Sequence, residues 1–82
     1  MERIESIRAR LIELFEDVKP GEDYANCTDL VTGGVVTSLE IVALVNEIGE
    51  EFDVEFTANE LVPENFDSLD QLAALIVELQ NE

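Results

Sequence analysis

The stretch GGVVTSLEIVALVNEIGEEFDVEF, residues 33–56, decides how the rest of the chain is read. Ile41, Leu44, Val45, Ile48 and Phe52 recur at steps of three and four residues, the stripe of an amphipathic helix. Ala43, Asn46, Glu47 and Glu50 fall on the other side with Glu40, so this helix is expected to bury one face and turn acid outward. Thr37 suits the N-cap, and Glu40 three residues later completes a T-x-x-E capping box. That leaves Ser38 as the first helical residue, with a hydroxyl that the cap does not need and that is expected to point outward.

The same reasoning extends in both directions. Upstream, Ile4, Ile7, Leu11, Leu14, Phe15 and Val18 carry a helical stripe, and Lys19, Pro20 and Gly21 stop it, predicting a helix from Glu2 to Val18. Residues 20–36 lack either period and read as a long loop, with Tyr24, Leu30 and Val35 as its anchors to the core. Downstream, TANELV repeats the capping pattern with Thr57 and Glu60, and Pro63 close behind confines it to a helix of a turn or two. DSLDQLAALIVELQ predicts a last helix with Ser68 and Gln71 as its box and Leu69, Leu72, Leu75, Ile76 and Leu79 inward. VEF at 54–56 is too short for a strand. The fold class expected is all-α: one domain, residues 1–82, a small bundle of three longer helices and one short one.

Composition narrows the function. Twenty acidic residues against four basic ones give a formal charge of −16, and Arg3, Arg8, Arg10 and Lys19 all precede position 20. Such a chain repels phosphate backbones and anionic lipid, which argues against nucleic-acid or membrane partners and for basic protein surfaces. A hydrophobic share of 46% with clear periodicity separates it from an acidic disordered tail. Cys27 stands alone, and the charges spread through MERIESIRARLIELF do not suit a signal peptide, so a cytoplasmic monomer is expected.

The chemical inventory is short. Histidine is missing from the chain, which removes the commonest general base and every Ser-His or Cys-His arrangement. One cysteine cannot build a zinc site, no glycine-rich phosphate loop with lysine occurs, and Asp23, Asp29 and the acids of EEFD do not make an EF-hand loop. Intrinsic catalysis is not expected. Ser38 remains, because a hydroxyl at a helix N-terminus is well placed to carry a phosphodiester: unpaired N–H groups and the positive end of the dipole favour a negative group there.

From these residues the chain resembles the acyl carrier proteins, in which a D-S-L-[DE] motif opening the second helix supplies the serine that receives 4′-phosphopantetheine. The resemblance covers nearly the whole chain: a first helix, a long loop, TSLE opening helix two, EEFDVEF closing it, a short third helix and a last helix from FDSL. Thr37 stands where the family has aspartate. Gly34, four residues before Ser38, together with LVPENFDSLD, is similar to the stand-alone D-alanyl carrier type. The resemblance implies that Ser38 carries the arm, that the arm holds an acyl or aminoacyl group as a thioester, and that Leu39, Glu40, Ala43, Glu47 and Glu50 meet partner enzymes. Those partners would be a phosphopantetheinyl transferase and acyl- or aminoacyl-loading ligases or synthases. Ser68 is the rival serine, since DSLD fits the motif better, but too little chain follows it for the rest of a carrier domain. Two further readings stand beside this one: an aminoacyl or peptidyl carrier, and an acidic helical adaptor with no prosthetic group.

Overall fold

The computed structural model describes residues 3–81, the side chain of Ser38 excepted. Within them the chain forms α1 (Ile4–Val18), α2 (Ser38–Phe52), α3 (Pro63–Phe66) and α4 (Leu69–Gln80), with no strand among the described residues. The expected start of the first helix at Glu2 lies outside the described residues. α1 packs against both α2 and α4, and α3 packs against α4.

Each stripe supplies its share of one core. Ile7, Leu11, Leu14 and Phe15 of α1 meet Leu44, Ile48 and Phe52 of α2, while Ile4 at the open end of α1 remains exposed. In α4 the fully buried set is Leu69, Leu72, Ala73 and Ile76. Leu75 and Leu79, expected inward, stay half-buried because they lie at the edge of the i, i+3, i+4, i+7 row that begins at Leu69. The radius of gyration, 11.4 Å, is close to the roughly 12 Å expected of a folded chain of this length.

One expectation is corrected and another extended. TANE closes only a turn: the Thr57 hydroxyl donates to Glu60 Oε1 at 2.8 Å, and the Glu60 N–H bonds the Thr57 carbonyl at 3.0 Å. The short helix begins instead at Pro63, whose fixed φ and missing N–H suit the first position of a helix. In the long loop Tyr24 and Leu30 are buried and Val35 packs half-buried against the core, as expected, and Val36, which the sequence reading did not single out, is buried as well. Both valines reach the core, Val36 buried in it and Val35 packed against its edge.

Three of the four cations tie elements together. The guanidinium of Arg8 reaches Asp70 Oδ1 of α4 at 2.6 Å and the carbonyl of Ala25. Arg10 holds Glu13 of its own helix and Glu51 Oε1 of α2 at 3.0 Å, with Glu51 and then Glu13 raising its pKa further. Lys19 Nζ donates to the carbonyl of Val35 at 2.5 Å, binding the end of α1 to the loop that enters α2. Arg3 pairs loosely with Glu5 at 3.9 Å, both exposed.

Candidate functional site at the start of the second long helix

The entrance to α2 is built as the capping pattern predicts. Thr37 is extended, its hydroxyl accepts the Glu40 N–H at 3.3 Å, and Glu40 Oε1 accepts the Thr37 N–H at 2.7 Å. Ser38 is the first helical residue, as expected; the direction of its hydroxyl lies outside what is described. The Glu40 carboxyl is held below its usual range, first by the Thr37 N–H, then by the Thr37 hydroxyl and the nearby charge of Lys19, against an opposing desolvation. Glu40 is therefore part of the cap and half-buried, which separates it from Glu47 and Glu50, both exposed.

Ser68, the rival, is spent on its own helix. Its side chain accepts the Gln71 N–H at 3.1 Å as the N-cap of α4, and the residue is half-buried.

The residues expected to meet partners differ in exposure. Leu39 is 84% exposed, and Ala43, Glu47 and Glu50 are exposed along the same helix. Sequence reasoning missed Val42, which is 68% exposed although strongly apolar. Its signal was available: Val42 follows Ile41 directly and so falls outside the core stripe.

Val42 belongs to an apolar groove of about 290 Å³ that the stripe did not announce. Ile41, Val42 and Val45 form one wall, Leu61, Val62, Pro63 and Phe66 the other, and Val31 from the long loop stands at its edge. Ile41 and Val42 follow Ser38 by three and four positions, so the groove begins one turn below the serine on the same side of α2. Phe56 tilts against Phe66 at 5.9 Å between ring centroids, backing the far wall.

Elsewhere the Cys27 and Tyr24 side chains are internally bonded. The Cys27 thiol donates to Asp29 Oδ1 at 3.2 Å and is half-buried. The Tyr24 hydroxyl donates to the Lys19 carbonyl, and burial first, then Glu22, Glu40 and Glu16, raise its pKa. Among the described residues no three His, Cys, Asp or Glu side chains gather as metal ligands, and no helix is long and apolar enough to cross a membrane.

Comparison with models of known families, with curated proteins and with solved structures finds no match to this chain.

Proposed function

We propose that this chain is a carrier protein that bears a 4′-phosphopantetheine arm on Ser38 and presents an acyl group, held as a thioester, to partner enzymes. The observation that carries the reading is the division of labour at the start of α2: Thr37 provides the cap, and Ser38 stands beside it at the first helical position, one turn above an apolar groove. A serine serving only the cap would sit where Thr37 sits, as Ser68 does in α4.

The residues present suit the group. First-turn N–H groups lack intrahelical acceptors, Thr37 has taken up that of Glu40, and the helix dipole favours the remaining N–H groups facing a phosphodiester. Glu40, the nearest acid in the helix, has its carboxylate committed to the Thr37 N–H, which fixes where that charge lies. In the attachment step the Ser38 oxygen displaces adenosine 3′,5′-bisphosphate from coenzyme A, forming one P–O bond as the pyrophosphate bond breaks, and the serine proton passes to a base of the transferase. When bound, the arm supplies the thiol on which cargo is carried. The chain itself places Ser38 at the first position of α2, offers an apolar groove one turn away, and displays Leu39, Ala43, Glu47 and Glu50 outward. With three of its four cations tied down, its long-range field is acidic and steers it to basic partner surfaces.

Aminoacyl and D-alanyl cargoes use the same attachment; the groove's lining favours an acyl chain, because a charged ammonium would be desolvated there without a partner. The exposed Leu39 and Val42 amid acid also fit a helical adaptor, which would bind a basic protein equally well after Ser38→Ala.

Intact mass decides. After incubation with coenzyme A, magnesium and a broad-specificity phosphopantetheinyl transferase, the wild type and Ser68→Ala gain one phosphopantetheine and Ser38→Ala gains none. No gain in the wild type with several transferases overturns the carrier reading.

A further inference from the structure

We infer that Asp67 is a positioning residue for modification at Ser38, because its carboxylate anchors the loop that delivers the serine to the start of α2. The inference rests on the carrier reading above and names the part of the fold, 29 positions downstream of Ser38 in sequence, that holds its site in shape.

Asp67 lies at the end of α3, between Phe66, which is buried, and Ser68, the cap of α4. Its backbone is fixed on both sides. From there Oδ1 accepts the N–H groups of both Val31 and Thr32 at 2.9 Å, Oδ2 accepts the Thr32 hydroxyl at 3.2 Å, and the Asp67 carbonyl accepts the Leu30 N–H at 2.9 Å. Two successive backbone N–H groups converging on one carboxylate oxygen form an anion nest, and charge-assisted bonds of this kind are among the stronger ones in proteins.

The anchor reaches the serine through a short chain of bonds. The Leu30 carbonyl accepts the Val36 N–H at 2.9 Å, and Leu30 and Val36 are both buried, so the loop returns on itself at a fixed point one residue before Thr37. Between them lie Gly33 and Gly34, Gly34 at φ 80°, with turn bonds from the Gly33 N–H to the Asp29 carbonyl at 2.6 Å and from the Gly34 N–H to the Val31 carbonyl at 3.1 Å. These local bonds shape the turn, and the bonds at its ends fix where it sits relative to the helices. Asp67 holds the near end, and the capping box of Thr37 holds the far one.

A purely stabilising role and a positioning role separate in kinetics, because the carrier is itself the substrate of the transferase. Unfolded carrier is not a substrate, so lost stability lowers the effective substrate concentration and raises apparent KM while leaving kcat. A displaced serine lowers kcat. The experiment measures initial rates of phosphopantetheine transfer against concentration of the full apo chain for wild type, Asp67→Ala and Asp67→Asn, with amide hydrogen exchange of Val31 and Thr32 alongside. Asp67→Ala is expected to lose at least tenfold in kcat and to exchange both amides at least tenfold faster. Asp67→Asn, whose carbonyl oxygen still accepts, is expected to recover most of both. If Asp67→Ala does not fold at the assay temperature, Asp67→Glu replaces it, keeping the charge and moving the carboxylate by one methylene. A kcat for Asp67→Ala within threefold of wild type overturns the inference, as does an Asp67→Asn as slow as Asp67→Ala while its Val31 and Thr32 amides stay protected. A wild type that accepts no phosphopantetheine overturns the carrier reading itself, and this inference with it; a modified wild type with an unimpaired Asp67→Ala overturns the inference alone.

Discussion

At the scale of single residues, Thr37 and Glu40 carry the most consequence. Thr37→Ala removes the acceptor for the Glu40 N–H and is expected to lower stability by about 1 kcal/mol in urea unfolding, whereas Thr37→Asp, itself a good cap, stays within about 0.5 kcal/mol of wild type. Glu40 gives this corner a pH dependence with a definite sign. Its folded pKa lies below its ordinary value of 4.5, so the carboxylate stabilises the fold. That contribution is complete above the ordinary pKa and is lost as pH falls through the depressed folded value. Glu51, held chiefly by Arg10, and Glu60, held chiefly by the Thr57 N–H, shift the same way. Protonation of the other acids between pH 6 and pH 3 also relieves their mutual repulsion, so the Glu40 contribution reads out as a difference: the urea midpoint of wild type should fall towards pH 3 relative to that of Glu40→Gln, which keeps an acceptor for the Thr37 N–H but does not titrate. An unchanged acid limb in Glu40→Gln would remove the capping bond from the account.

At the scale of elements, α2 is well made at its start and poorly made at its end. Asp53 caps it in the left-handed region at φ 53°, and it puts a negative side chain at the negative end of the helix dipole. Asp53→Gly relieves both and is expected to raise stability by about 1 kcal/mol with attachment at Ser38 unaffected. The outer face makes a second, opposite prediction. Val42 is largely exposed, so Val42→Asp should change stability by no more than about 0.5 kcal/mol. It also puts a charge into one wall of the groove, and fluorescence of a neutral apolar probe such as N-phenyl-1-naphthylamine should lose its groove-bound signal in that variant. Retention of full probe binding by Val42→Asp would place the apolar site elsewhere.

At the scale of the whole molecule, charge sets the terms. A formal −16 on 82 residues, with the positive groups confined to α1, its immediate N-terminal flank and the residue following it, means that most of the surface repels itself. Screening should relieve this, and the melting temperature is expected to rise from low to moderate ionic strength, and further with magnesium at equal ionic strength. A melting temperature independent of salt would show that the acids lie too far apart in the folded state to matter. Arg8, Arg10 and Lys19 link α1 to α4, to α2 and to the long loop respectively, so they counter the repulsion at the seams between elements.

The sequence by itself determined the elements whose signals are local. The stripes of α1, α2 and α4 and the caps at Thr37 and Ser68 follow from spacings of three and four residues, because side chains that close in sequence meet through the helix's own geometry. Position 38 as a serine freed from capping was legible for the same reason. Only the tertiary structure decided the rest. The T-x-x-E pattern at Thr57 closed a single turn, leaving Pro63 to open α3, and Val36 proved buried beside a half-buried Val35. The groove draws on residues from 31 to 66, and the Asp67 nest joins groups more than thirty positions apart. No local period encodes contacts of that range; they arise when the helices pack and bring distant loops together.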